Sequence, residues 1–181
     1  MVYDSDKVSV FREAGMRFEH GRSRLRNFTF RCLVAWGVVL GSLAEAREYS
    51  YDPDSDPVAA FQLATQQAAQ QHKLVLLVFG SEWCPDCRSL NKKMGQQPFS
   101  RTLQDNFLVV HVDIGNWDRN MAFTRQFGEP VAKGIPSIAV VAPDEQVLYV
   151  SEAGEFAAAR NMGLSALDGW MQELLIEIGR K

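Results

Sequence analysis

The chain has 181 residues, a formal net charge of −3, and ordinary apolar and charged fractions of 46% and 23%, so its length fits one globular domain. Residues 47–181 hold 12 Lys and Arg against 17 Asp and Glu, a net charge of −5. This acidic balance argues against binding to nucleic acid or anionic lipid through bulk charge.

Residues 1–46 differ from the rest and predict a secretory signal peptide, an N-terminal helical leader. Arginines precede the apolar run 32–43, and Ala44-Glu45-Ala46 then offers a small-x-small cleavage site. An uncleaved anchor is the alternative, but twelve apolar residues are short for a membrane span of about 20. A nucleic-acid patch is disfavoured because the apolar run follows the arginines at once.

The start of the leader and its cysteine also bear on processing. Residues 1–21 are polar and mixed in charge, which is unusual for a signal peptide, so translation from Met16 or nearby is an open alternative. Cys32 lies at the start of the apolar run rather than at its end, so we do not predict a lipoprotein. Removal of the leader would leave Cys84 and Cys87 as a single pair.

Residues 47–56 are rich in Asp and predict a linker that ends in a helix cap. Asp56 is the expected N-cap, and Pro57 is the expected first helical residue. The following helix, over residues 58–72, is expected to be amphipathic. Its candidate buried members are Val58, Phe61, Leu63, Thr65 and Ala68.

Two apolar segments predict buried strands. Residues 74–80 form a continuous apolar run, which is typical of a strand buried on both faces. Residues 107–113 are rich in β-branched side chains and predict a second strand. Between them, we expect one helix that opens at Cys84 and a short helix over residues 99–103.

The last third of the chain predicts a helix, a hairpin and a final helix. Residues 117–127 are expected to be helical, before glycines and a proline interrupt the pattern. Residues 138–142 and 147–150 predict two antiparallel strands, because a four-residue turn joins them. Ser165 is the expected N-cap of the final helix.

The segment Trp83-Cys84-Pro85-Asp86-Cys87 carries the clearest chemistry, because it joins a predicted strand to a predicted helix. A helix N-terminus has unpaired N–H groups and a partial positive charge, which stabilise a thiolate at Cys84. Cys87, one turn further, can then attack a mixed disulfide. The spacing therefore favours a redox dithiol, which needs no external cofactor.

Two other interpretations of the cysteine pair are an inert disulfide and half of a zinc site. A structural zinc site needs four Cys or His ligands. After the leader, only His72 and His111 accompany the pair, at spacings that match no zinc motif. We therefore predict no metal.

The element order and the WCPDC segment resemble the thioredoxin-like family, and Gly134-Ile135-Pro136-Ser137 resembles its second hallmark, Gly-Ile-Pro-Thr. The resemblance covers about residues 57–179. The chain also resembles the C-terminal domain of the transmembrane thiol:disulfide interchange reductase. The resemblance implies an α/β fold in which a central mixed sheet is flanked by helices, as a domain over residues 57–181.

The resemblance also implies the surroundings of the dithiol. Pro136 would follow a cis bond, and Ile135 would present its backbone to a bound peptide. Together with Trp83, Pro85 and Asp86, these residues would form a substrate groove. The implied partners are protein or small-molecule disulfides and dithiols, and a membrane or soluble thiol reductase as electron donor. The implied form is a monomer, in the periplasm because this family resemblance is bacterial.

Two departures from the family pattern concern proton handling. Thioredoxin has a buried acid six residues before its first cysteine, where this chain has Val78, and the lysine that partners that acid aligns with Val109. Asp86, Glu82 or His111 are candidates for assisting proton transfer through water. Each is more often solvent-facing or structural.

The residues around the cysteines also bear on the direction of electron flow. Asp86 places negative charge near the thiolate, which disfavours the thiolate and favours the reducing end of the family. Ile135 matches reducing thioredoxins. We therefore expect a protein disulfide reductase, with an oxidase or isomerase as the alternative. A binding or chaperone module with an incidental dithiol is the alternative from another class.

Overall fold

The computed structural model describes residues 50–151 and 153–180. The predicted leader and the first residues of the predicted linker lie outside these ranges. In chain order the elements are α1 (Pro57–Gln71), β1 (Leu74–Gly80), α2 (Pro85–Met94), α3 (Phe99–Asn106), β2 (Phe107–Asp113), α4 (Met121–Thr124), β3 (Ser137–Val141), β4 (Val147–Val150) and α5 (Leu164–Glu177). Single 3-10 turns lie at Arg125–Phe127 and Ala159–Asn161. None of the described helices is long and apolar enough to cross a membrane.

The four strands form one mixed sheet in the order β2-β1-β3-β4. β1 runs parallel to β2 and antiparallel to β3, and β3 runs antiparallel to β4. Every residue of β1 is buried, as expected for a central strand covered on both faces. The predicted α/β class with a central mixed sheet is therefore confirmed.

Helix α1 begins where the sequence predicts. The Asp56 carboxylate accepts hydrogen bonds from the N–H groups of Val58 and Ala59, at 2.9 and 3.3 Å, and Pro57 is the first helical residue. α1 packs on β1 and β2, and its buried face includes Phe61. Val58 and Leu63 point outward instead, with 44% and 55% of their surface exposed, so the predicted buried face was wrong at these two positions.

Two helix boundaries differ from prediction. The helix expected over 117–127 is reduced to α4 and one 3-10 turn, because Trp117 and Asn120 adopt positive φ angles of 68° and 52°, which an α-helix does not contain. The final helix begins at Leu164 with Gly163 as its N-cap and no capping side chain. Ser165 therefore lies inside α5, and the prediction that it caps the helix was wrong.

The stretch predicted as a linker supplies one residue to the core. Tyr51 is 1% exposed and belongs to the same hydrophobic cluster as Phe79 at the end of β1. Its ring lies against Gly80, where a Cβ atom would come within 2.7 Å of the Tyr51 hydroxyl oxygen. Glycine at the end of an otherwise apolar strand permits this close approach.

Candidate active site

Cys84 is the N-cap of α2, and Pro85 is the first residue of the helix. The Sγ atom of Cys84 accepts a hydrogen bond from the backbone N–H of Cys87 at 3.4 Å. Both cysteines are free thiols in the structure. The sulfur of Cys84 therefore occupies the position at which the unpaired N–H groups of a helix converge, where negative charge is favoured.

Cys87 lies deeper than Cys84. No part of Cys87 is exposed, whereas Cys84 keeps 5% of its surface exposed. Burial raises the pKa of the Cys87 thiol, and the hydrogen bond with the Cys84 side chain raises it further. Cys87 therefore holds its proton more strongly than an exposed thiol does, which suits the second thiol of an exchange reaction.

The second motif, Gly134-Ile135-Pro136-Ser137, lies beside Cys84. The Ile135–Pro136 bond is cis, as the resemblance implies. The thiol of Cys84 donates to the carbonyl oxygen of Ile135 at an S–O distance of 3.6 Å. Ile135 and Pro136 are both buried. The structure thus brings Cys84, Cys87 and Ile135 together.

Trp83 lies at the rim of the site with 49% of its surface exposed. Its indole Nε1–H donates to the carbonyl oxygen of Gly115 at 2.8 Å, and the hydroxyl of Ser81 donates to the same oxygen at 2.6 Å. Trp117, from the same loop as Gly115, is 45% exposed. A cavity of about 210 Å³ opens beside these residues. Its lining includes Tyr51, Glu82, Trp83, Asn116 and Arg119.

Asp86 is buried rather than turned toward solvent, although the adjacent Pro85 is exposed. One carboxylate oxygen of Asp86 accepts the backbone N–H of Arg160 at 2.9 Å, and the other lies 3.1 Å from the Arg160 guanidinium. This pairing offsets the negative charge of Asp86. Asp86 is therefore a paired charge, and not the free negative charge that was expected near the thiolate.

Lys93, near the other end of α2, bonds to the loop that contains Arg160. Its ammonium group donates to the carbonyl oxygens of Ala159, Arg160 and Met162 at 2.7, 3.0 and 2.6 Å. Sequence reasoning missed Lys93 and Arg160, because neither belongs to a local motif. Their partners lie 66 to 74 positions away.

The other candidates for proton handling are His111 and Glu82. His111 lies on β2, where it pairs with Val78 of β1, and Glu82 lies in the segment between β1 and α2. Burial lowers the pKa of His111 to about 4, so its imidazole is neutral at neutral pH. The Nε2 atom of His111 is buried and has no hydrogen-bond partner among the described residues. Glu82 accepts the backbone N–H of Tyr51 at 3.0 Å.

Tyr51 is a third residue near the site that sequence reasoning missed. Its ring meets the ring of His111 edge-on, with 5.2 Å between the ring centroids. The available signal was Gly80, because a glycine inside an apolar strand often marks a close approach by another group. In the part of the chain that the structure describes, no group of three or more His, Cys, Asp and Glu side chains could hold a metal ion.

Comparison with known proteins identifies the family. A family model described as thioredoxin-like matches residues 56–143. A disulphide isomerase from Xylella fastidiosa Temecula1 is 35% identical, with a TM-score of 0.69, over 71% of this chain and 98% of that chain. The chain belongs to the thioredoxin-like family.

Other solved structures were matched at lower identity. The DsbD C-terminal domain of Neisseria meningitidis in the oxidised form is 17% identical, with a TM-score of 0.45, over 66% of this chain and 93% of that chain. A thioredoxin from Thermus thermophilus is 20% identical, with a TM-score of 0.46, over 66% and 84%. No curated protein sequence matches the chain significantly.

Proposed function

We propose that this protein is an exported thiol–disulfide oxidoreductase that reduces protein disulfides through Cys84 and Cys87. The observation that carries the proposal is the position of Cys84 Sγ, which caps α2 and lies 3.6 Å from the Ile135 carbonyl oxygen. A thiolate is stabilised at a helix N-terminus. At this position it also lies beside backbone that an extended substrate peptide can contact.

The reaction divides between the two cysteines. The Cys84 thiolate attacks one sulfur of a substrate disulfide, forms a mixed disulfide, and releases the other substrate sulfur as a thiolate that takes up a proton. Cys87 then loses its proton and attacks the Cys84 sulfur. The second substrate thiol leaves, and a Cys84–Cys87 disulfide remains. The substrate has gained two electrons and two protons.

Four residues would shape the substrate groove. Trp83 and Pro85 are exposed beside the dithiol, and Ile135 and Pro136 lie next to the Cys84 sulfur. The exposed indole of Trp83 can shield the exchanging sulfurs while its N–H stays bonded to the protein. We assign Asp86 a supporting role instead, because its carboxylate is buried against the loop that contains Arg160.

The reducing direction is supported by Ile135 before the cis proline, which matches reducing thioredoxins. Members of this family are strong oxidants when the thiolate of the reduced form is well stabilised. A reductase in an oxidising compartment needs a donor of two electrons, such as a membrane or soluble thiol reductase. The isomerase alternative is favoured by one observation, the 35% identity to a protein described as a disulphide isomerase.

The reduction potential of the Cys84/Cys87 couple tests the direction. We would equilibrate the chain carrying Cys32→Ala against glutathione and trap the free thiols. A potential below about −220 mV is expected for a reductase, and one above about −160 mV would assign the protein to the oxidases. Reactivation of a substrate with scrambled disulfides, at a rate that exceeds simple reduction, would favour the isomerase.

Export has its own experiment. The full chain, expressed in a bacterial host, is expected to accumulate outside the cytoplasm with Arg47 as its first residue, because Ala44-Glu45-Ala46 precedes that position. N-terminal sequencing of the exported product measures this directly. A product that stays in the cytoplasm with the leader intact would contradict the proposal.

A further inference from the structure

Tyr51 carries a buried hydroxyl that the reaction described above does not use. Its side chain is 1% exposed, and the hydroxyl has no hydrogen-bond partner among the described residues. Leaving a hydroxyl buried and unpaired is unfavourable, so native structures contain few such groups. The hydroxyl therefore calls for an explanation beyond packing.

The position of the phenol ties it to the dithiol. The Tyr51 hydroxyl oxygen lies 2.7 Å from where a Cβ atom of Gly80 would be. The backbone carbonyl oxygen of the next residue, Ser81, accepts the N–H of Cys84 at 3.1 Å, and Tyr51 and Ser81 line the same cavity of about 210 Å³. The phenol therefore lies at the end of the strand that leads into the dithiol.

The phenol is also held in place. The Tyr51 backbone N–H is bonded to the carboxylate of Glu82, and the His111 ring packs against the phenol ring. Because burial lowers the pKa of His111 to about 4, that neighbour is uncharged at neutral pH. Val78, two residues before Gly80 on the same face of β1, offers no proton donor or acceptor.

Burial, together with the acidic groups around the phenol, keeps Tyr51 protonated. Burial raises the pKa of Tyr51 well above its ordinary value, and the nearby acidic groups raise it further. Those groups are Cys87, Cys84, Glu82 and Asp113. The hydroxyl therefore remains a hydrogen-bond donor at every pH at which the thiols exchange.

We propose that Tyr51 is a positioning residue for the second half of the exchange, in which its hydroxyl donates a hydrogen bond, directly or through one internal water, to the Cys87 sulfur as that sulfur becomes a thiolate. This inference rests on the proposed function. In that step the Cys87 S–H bond breaks, the new thiolate attacks Cys84 Sγ, and the mixed disulfide bond breaks as the intramolecular one forms. The Cys87 proton passes to solvent, and the departing substrate thiolate takes up a proton from solvent. Tyr51 keeps its own proton throughout.

The two halves of the exchange can be timed separately with an aromatic disulfide whose released thiolate absorbs visible light. The reduced full chain carrying Cys32→Ala is mixed with dithiobis(nitrobenzoate) in a stopped-flow instrument. The first phase reports the attack by Cys84 and the second the attack by Cys87. Tyr51→Phe is expected to slow the second phase about tenfold, the effect of losing one hydrogen bond to a charged group, and to change the first phase less than twofold.

Tyr149→Phe is the matched control, because the Tyr149 hydroxyl is bonded to Glu155 at 2.8 Å, and it should leave both phases unchanged. The slower second phase of Tyr51→Phe should persist across pH 6 to 9. A second phase that Tyr51→Phe leaves intact would overturn the inference. Equal slowing of both phases would overturn it too, because a structural defect acts on both. A wild-type chain without a second phase would instead refute the proposed function.

Discussion

Cys84 and Ile135 are 51 positions apart in the chain, yet the Sγ atom of Cys84 lies 3.6 Å from the Ile135 carbonyl oxygen. The strand arrangement explains this contact. β1, which leads into Cys84, is the antiparallel neighbour of β3, which begins directly after Pro136, and Phe79 lies opposite Ser137. The two family motifs therefore meet at one end of the sheet.

The two cysteines should respond differently to substitution. Cys84→Ser is expected to abolish disulfide reduction, because no thiolate remains to attack the substrate. Cys87→Ser should still attack and should therefore accumulate mixed disulfides, which non-reducing electrophoresis detects as adducts that reductant removes. A Cys84→Ser protein with full turnover would contradict the assignment, and a double serine variant that keeps its biological activity would point to a binding module instead.

The ion pair between Arg160 and buried Asp86 should influence the redox equilibrium. Arg160→Ala removes the cation but keeps the backbone N–H that Asp86 accepts. The uncompensated carboxylate then disfavours the thiolate of the reduced form, so the reduction potential should become more negative by on the order of 10–30 mV. Arg101→Ala, which breaks an exposed pair with Asp105 on α3, is the control and should leave the potential unchanged. An unchanged potential in Arg160→Ala would show that the pair does not act on the thiols, and a higher potential would contradict the expected effect of the Asp86 charge on the thiolate.

Much of the fold follows from local patterns. β1, β2 and β4 have the predicted bounds, because each is a short apolar or β-branched run between turns. Asp56 and Pro57 mark the start of α1, because capping depends only on neighbouring residues. The region around Trp117 was not predictable in this way, because its positive φ is imposed by a loop that packs against Trp83 and Ser81.

The residues of the site also differ in whether a local motif predicts them. Cys84, Cys87 and Pro136 lie in recognisable motifs. Tyr51 and Arg160 do not, because each reaches the site through contacts with residues distant in sequence, and no local spacing encodes such contacts. Tyr51 was further obscured by the acidic, proline-containing stretch around it, which has the composition of a linker although this one side chain is buried.

Lys93 should contribute measurably to stability. Lys93→Met keeps the length and apolar stem of the side chain but removes the ammonium that bonds three carbonyl oxygens. Because the site is only partly buried, we expect a loss of about 1–2 kcal/mol in the free energy of unfolding, measured by urea denaturation. Lys92→Met is the matched control, since Lys92 is exposed, and it should change stability by less than about 0.5 kcal/mol. Equal stability losses in both variants would show that the three contacts contribute nothing specific.

His111 should make the folded state sensitive to mild acid. Its pKa falls from 6.5 to about 4 on folding because it is buried. Below about pH 6.5 the unfolded chain therefore binds a proton that the folded chain does not bind. The free energy of unfolding is therefore undiminished at neutral pH and decreases as the pH falls toward 4. Between pH 7 and pH 5 this linkage amounts to about 2 kcal/mol of unfolding free energy.

Urea denaturation of His111→Phe at both pH values measures this contribution. The substitution keeps an aromatic ring beside Tyr51 but removes the titrating group, so the difference between pH 7 and pH 5 should shrink by about 2 kcal/mol relative to the parent. His72→Gln is the control, because His72 is exposed at the end of α1, and it should keep the parental difference. A parental difference in His111→Phe would mean that other groups cause the acid sensitivity and that His111 is protonated in the fold as readily as in the unfolded chain.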